Sequence, residues 1–257
     1  MNKYLLGGYI SVRTALEAAK RPVYSVVLDK DRYDNVMRSG YHDAEKRQYA
    51  ALAKYDVKVD YLSGEEFAKL GTAPTAGGIA AYVGDRAYMP LDELVGMRKN
   101  YIAVLDGIED PFNFGYALRT MYAAGVDGLI LPKRDFNAST EIVCRASAGA
   151  SELLDISVVD SVAEAVTKAK SAGYMIVSTA KTDKAKDMYR VRIKKPVCVV
   201  FGGEKRGISA EVIAASDEII KIKYPRSCPF SLSASSAVSI ISFEIARKLS
   251  AKDDFRH

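Results

Sequence analysis

Apolar runs of β type alternate with helix-type patterns along nearly all of this 257-residue chain, and no other feature narrows the fold so much. Residues 9–20 read as a helix, with Val12, Leu16 and Ala19 at helical spacing. VYSVVL (23–28) reads as a strand, 43–54 as a helix and VKVDYL (57–62) as extended. GEEFAKL (64–70) reads as a helix and GIAAYV (78–83) as a strand. The alternation then restarts. YIAVLD (101–106), GLILP (128–132), ISVVD (156–160), YMIVST (174–179), VCVVF (197–201) and EIIKIKY (218–224) read as strands. Helical patterns cover 114–124, 138–148, 161–171, 209–215 and 232–249. Such a series predicts an α/β protein with a mostly parallel sheet and helices on both faces.

Pro90 to Lys99 reads as a connector, because it combines Met89-Pro90, a short helical phrase and Gly96. It sets the expected domains: 1–95, a small αβαβαβ unit, and 96–257, a larger one. Charge is divided unevenly between them. Residues 1–96 hold 13 basic and 13 acidic side chains, so the net charge of +5 lies wholly beyond them. KTDKAKDMYRVRIKK (181–195) has seven basic and two acidic residues. Such a stretch can neutralise phosphates, or it can be a solvated face.

Scarce residue types exclude much chemistry. His42 and His257 are the two imidazoles, and there are three cysteines, Cys144, Cys198 and Cys228, with no CxxC pair. A His-rich metal site or a zinc cluster is therefore not expected, and neither is a disulfide framework. No apolar stretch approaches the roughly 18 residues needed to span a bilayer. The amino-terminal apolar run is too short for a signal peptide. The expectation is a cytoplasmic protein with no membrane contact, no metal, and chemistry carried by other groups or by a bound cofactor.

Ligands of parallel sheets bind in the loops after the carboxyl ends of strands, and three such loops are unusual. In DGIEDPFNFGYALRTMYAAG (106–125), Asn113 stands where a helix N-cap is expected and Arg119 lies one to two turns inside. Taken singly, Asn113 is a plain cap and Arg119 a solvated helix residue. In VCVVFGGEKRGIS (197–209), a buried-type strand enters a glycine loop that presents Glu204. Its Gly202-Gly203-x-x-x-Gly207 order is neither a dinucleotide fingerprint nor a P-loop. A ligand loop and a tight structural turn both fit it. In YPRSCPFSLSASSAVSIISFEIARK (224–248), Pro225 and Pro229 stop any helix before Phe230, and Ser231 is a natural N-cap. The helix that follows is loaded with small residues that permit close approach of a backbone or a ligand.

These three loops, in this order and spacing, resemble the SpoU/TrmH branch of the SPOUT RNA methyltransferases. The first motif, Asn-x-Gly with Arg six residues after the Asn, reads Asn113-Phe114-Gly115 and Arg119. The second reads Phe201-Gly202-Gly203-Glu204 through Gly207. The third reads Tyr224-Pro225 and Ser231-Leu232-Ser233. The first part of the chain resembles the ribosomal-protein-like RNA-binding domain that precedes the catalytic domain in many rRNA-modifying members.

The resemblance implies a C-terminal α/β trefoil-knot (SPOUT) domain behind a small N-terminal α/β domain. It implies S-adenosylmethionine as cofactor, a homodimer with the active site shared across the interface, and methylation of a ribose 2′-hydroxyl in rRNA, ahead of tRNA. Carried over by position, Asn113, Arg119, Glu204, Ser231 and Ser233 belong to the catalytic centre. Gly202, Gly203, Tyr224 and Leu232 line the cofactor site. Two departures stand out. Ser233 replaces the family's Asn, and the turn before it carries Arg226, Cys228 and Pro229 in place of a customary Gly. They motivate an alternative, a catalytically weak or inactive SPOUT-fold RNA-binding or ribosome-assembly protein. A guanidinium stays protonated in proteins, so Arg119 is expected to act as an electrostatic clamp on a phosphate rather than as a base.

Overall fold

A computed structural model describes residues 2–97, 99–133, 140–203, 207–227 and 229–250. The chain opens with Tyr4–Gly7 (β1), Tyr9–Ala18 (α1), Val23–Asp29 (β2), Lys30–Arg38 (α2), Asp43–Leu52 (α3), Val59–Leu62 (β3), Gly64–Ala68 (α4) and Ile79–Val83 (β4). It continues through Leu91–Gly96 (α5), Tyr101–Asp106 (β5), Pro111–Ala123 (α6), Gly128–Pro132 (β6), Thr140–Ala146 (α7), Ala150–Leu153 (α8) and Asp155–Val159 (β7). Then come Val162–Ser171 (α9), Met175–Thr179 (β8), Lys186–Asp187 (β9), Val197–Gly202 (β10), Ala210–Ala215 (α10), Glu218–Lys221 (β11) and Ala234–Ser250 (α11).

Two compact units form. The chain up to Ala87 packs together with the α7–α8 segment, and the rest packs as a second unit. The first unit is built on a four-stranded sheet ordered β1-β4-β2-β3. β4 runs antiparallel to both β1 and β2, and β3 is parallel to β2. This sheet is therefore mixed, within the small α/β unit expected. Three of its elements are not predicted by the periodicity: β1, only four residues long, α2, whose composition is mostly polar, and the four-residue α8. Leu6, Val12, Val26, Leu28, Ile79 and Cys144 share one core. Cys144 comes from α7, so this helix, which lies in sequence between two strands of the larger sheet, covers the smaller one. A buried ion pair fastens it. Glu152 of α8 accepts from Arg21 Nε at 2.8 Å and Nη2 at 3.2 Å.

The connector Pro90–Lys99 is a second correction. Leu94 and Val95 are buried in the core of the second unit with Ile102, Ile130 and Val166. Leu91, Leu94 and Val95 sit at i, i+3 and i+4, so α5 has an apolar face that must be covered. It packs on β7 and leaves no room at Gly128, where a Cβ would lie 2.5 Å from Leu94 Cδ1.

The second unit carries seven parallel strands ordered β7-β6-β5-β10-β8-β11-β9. Its central strands are buried on both faces, which is why they read as continuous apolar runs. β10 inserts between β5 and β8, with Gly202 opposite Asp106 and Phe201 opposite Thr179. The loops leaving β5, β10 and β8 therefore emerge side by side, where the strand order reverses.

Candidate functional site

The helix after β5 starts earlier than expected. Asp110 is its N-cap, accepting from Asn113 N–H at 2.8 Å, and Pro111 takes the first helical position. Asn113 is thus freed from capping. Its Oδ1 accepts from Ser235 Oγ at 2.9 Å. Two turns along, Thr120 Oγ1 and Ser239 Oγ lie 3.0 Å apart. Ser235 and Ser239, at i and i+4 of α11, form the small-residue stripe against which α6 packs.

The start of α11 also differs from expectation. Ser233, not Ser231, is its N-cap: its Oγ accepts from Ser236 N–H at 3.2 Å, and its carbonyl accepts from Ala237 N–H at 3.0 Å. The same hydroxyl lies 3.1 Å from Ser235 Oγ, so the capping serine and the serine on Asn113 are linked. Upstream, Leu232 N–H donates to the Tyr224 hydroxyl at 3.1 Å. Ser231 Oγ accepts from Lys181 Nζ at 2.6 Å.

The glycine loop is shaped by the protein's own backbone. A Cβ at Gly203 would lie 2.4 Å from the Gly107 carbonyl oxygen, and one at Gly202 would lie 2.7 Å from Gly207 C. Gly203 and Gly207 form an antiparallel bridge, with Gly207 N–H donating to the Gly203 carbonyl at 3.1 Å. Glu204 lies outside the described residues, as does Cys228.

A cavity of about 800 Å³ opens among these loops. Asn113, Gly202, Gly203, Tyr224, Ser231, Leu232 and Ser233 all line it, so seven of the nine expected site residues converge on one space. Ile208, Ile213, Leu232 and Ile241 supply apolar wall, and Thr179, Lys181, Thr182 and Lys221 supply polar rim. Its size, and a lining that combines apolar side chains with hydroxyls, an amide and two ammonium groups, suit a small amphipathic organic ligand. Arg119 is exposed on α6 and is not among the lining residues.

Lys181, which the sequence reading placed only within a basic stretch, is the addition. It follows Ser178-Thr179-Ala180 at the carboxyl end of β8. That is the same topological position that singled out the other loops, and the signal was available.

Among the described residues the thiols and the imidazole lie outside this cavity. Burial pushes the thiols of Cys144 and Cys198 up to about 12, so neither forms a thiolate near neutral pH. His42 sits in the first unit with Nδ1 3.4 Å from Glu45 Oε1. Among the described residues no group of three or more His, Cys, Asp or Glu side chains gathers in a metal-binding arrangement.

Known proteins share this organisation. The profile of the SpoU rRNA Methylase family matches residues 100–243. A protein of Staphylococcus haemolyticus that carries the name TrmH family tRNA/rRNA methyltransferase is 35% identical over 184 residues, 70% of this chain and 73% of its own. The AdoMet-bound rRNA methyltransferase of Sinorhizobium meliloti superposes with a TM-score of 0.76 at 19% identity, over 95% of this chain and 87% of that one. A structure described as an RNA 2′-O ribose methyltransferase superposes with a TM-score of 0.73 at 21% identity, over 96% and 88% of the two chains. With its SPOUT fold and its three motif loops gathered on one cavity, the chain belongs to the SpoU rRNA methylase family, in the SpoU/TrmH branch of the SPOUT proteins.

Proposed function

We propose that this protein is an S-adenosylmethionine-dependent RNA methyltransferase that modifies a ribose 2′-hydroxyl of rRNA in the cytoplasm, and that it works as a homodimer. The observation that carries the reading is the convergence of the three motif loops on one cavity at the strand-order switch. Apolar side chains, glycine backbone and hydroxyls line the cavity, a mixture that suits a cofactor with both an aromatic base and a polar tail.

When bound, the cofactor supplies a methyl group on a sulfonium, which leaves as a neutral thioether when the methyl carbon bonds to the ribose oxygen. The chain has to hold that oxygen in line and relieve it of its proton. With Oδ1 fixed by Ser235, the amide Nδ2 of Asn113 is the end available to the ribose oxygen. Ser231, at the rim, contacts the substrate side, and Tyr224 braces the turn through Leu232. Ser233 holds the head of α11 in register with Ser235, and in this reading Glu204 completes the second motif. The 2′-hydroxyl proton passes to a neighbouring phosphate or to water.

Arg119 stands apart from the cavity of its own chain. Phe112, Tyr116 and Tyr122 on α6 and Ile240 and Phe243 on α11 are exposed large apolar residues, an apolar load that suits an interface. A second copy docked on these helices is the partner we propose, and Arg119 then clamps a phosphate at the partner's cavity. The four-stranded first unit serves as the RNA-recognition domain. Among the described residues no helix is long and apolar enough to cross a membrane.

The test is twofold. Methyl incorporation is measured on bulk rRNA and tRNA, and ribose-methylated positions are mapped in RNA from cells with and without the protein. A ribose methyl lost from rRNA in the deletion strain supports the reading. Cofactor binding without incorporation into any RNA favours the inactive assembly protein instead, for which Ser233, engaged in capping, is the motivation.

A further inference from the structure

Lys181 is exposed, yet its flexible chain is held in one place. Its Nζ donates to Ser231 Oγ at 2.6 Å and lies 5.3 Å from the centroid of the Tyr224 ring. Both contacts draw the ammonium across the mouth of the cavity, from the loop after β8 to the turn that leads into α11. An ammonium has three donors. Ser231 takes one of them.

The charge of the described lining residues is one-sided. Lys181 and Lys221 are the cations among the described lining residues, and no described carboxylate lines the cavity. Lys221 is turned to the Thr182 carbonyl, which accepts from its Nζ at 3.1 Å. The cofactor adds no counter-charge. Its carboxylate is matched by its own ammonium, and the sulfonium leaves it a net cation. An RNA backbone brings one anion per nucleotide to a cation such as Lys181. A ribose and its flanking phosphate are covalent neighbours, so holding the phosphate also places the 2′-oxygen.

We infer that Lys181 grips the backbone phosphate beside the target ribose and so sets RNA affinity at the cavity mouth. This rests on the methyltransferase reading and gives the cavity a cation of its own chain where Arg119 supplies none. A lysine acts on phosphate as a point charge, without a bidentate requirement.

The experiment uses the full-length protein and rRNA from cells lacking it, the source of unmethylated sites. In Lys181→Met the KM for RNA rises about tenfold, as expected for one charge-assisted contact. The KM for S-adenosylmethionine and the calorimetric Kd for S-adenosylhomocysteine stay within about twofold, whereas Lys181→Arg keeps its RNA KM within about threefold. The slope of log kcat/KM for RNA against log salt flattens by about 0.7–0.9 in the Met variant.

An unchanged RNA KM overturns the inference. So does a weaker Kd for S-adenosylhomocysteine with no change for methylthioadenosine, because the latter lacks the carboxylate and Lys181 would then be holding the cofactor's tail. A wild type that methylates none of this RNA sinks the methyltransferase reading itself, a result distinct from the failure of this residue's role.

Discussion

Gly203→Ala tests whether the cavity wall is held open by backbone contact. The added Cβ would lie 2.4 Å from the Gly107 carbonyl oxygen and 2.8 Å from both Gly107 C and Cα. A carbon and a carbonyl oxygen rest about 3.3 Å apart or more, so the two chain segments must part by roughly 1 Å. Every atom met is backbone, so no side chain can swing aside to relieve it. Gly107 is itself at φ +94°, a conformation that leaves the loop after β5 little freedom to adjust. Overpacking of this kind costs about 1–3 kcal/mol. Gly203 lines the cavity, so part of that cost appears as lost ligand affinity rather than lost stability. The expected result is a Kd for S-adenosylhomocysteine at least tenfold weaker by calorimetry, with a Tm lower by roughly 3–6 °C. Gly40→Ala is the control, because a Cβ there meets nothing within 4 Å. A Gly203→Ala protein with wild-type Kd and Tm would refute the claim that these glycines shape the site.

Three further outcomes follow from the same structure. Glu152 is 1% exposed between Arg21 and Arg86, so Glu152→Gln leaves two buried guanidinium groups without their carboxylate. It should cost about 3–5 kcal/mol in urea unfolding, and a loss under 1 kcal/mol would contradict the assignment. The Arg247 hydrogen bond holds the Glu244 carboxyl below its usual range, with Lys248 adding to the effect. Its contribution to stability is thus full above the unfolded value of about 4.3 and is lost as pH falls through the lower folded value. Glu244→Gln should flatten stability against pH on that acid limb and leave the curve above pH 6 parallel to wild type. Replacing Lys184, Arg190, Arg192 and Lys194 with Gln should weaken RNA binding and flatten its salt dependence by up to about 0.9 per lost phosphate contact. An unchanged slope would make this stretch a solvated surface, as Lys186, already paired with Glu218 at 2.7 Å, is in part.

Much of the larger unit was legible because its strands are buried on both faces. YIAVLD and GLILP are read to the residue, since a continuous apolar run between turn signals has few other uses. The first sheet was harder. β1 is four residues long, too short for a period to register, and α2 carries a single fully buried residue, Val36. The caps slipped for a local reason. Asp110 and Ser233 are as good caps as Asn113 and Ser231, and only the backbone path chooses among neighbouring candidates.

The site divides along the same line. The order of the three loops along the chain, the scarcity of imidazole and the placement of the basic excess are properties of the sequence alone, because motif spacing and composition need no folding to be counted. Three things were decided by tertiary structure. Asn113 is tethered to Ser235 across 122 residues of chain, Lys181 is drawn over Tyr224 to Ser231, and α7 spends its apolar face on the first sheet rather than on the second. Each is a contact between segments remote in sequence. Local propensity says which face of a segment must be covered, but only the packed chain settles what covers it.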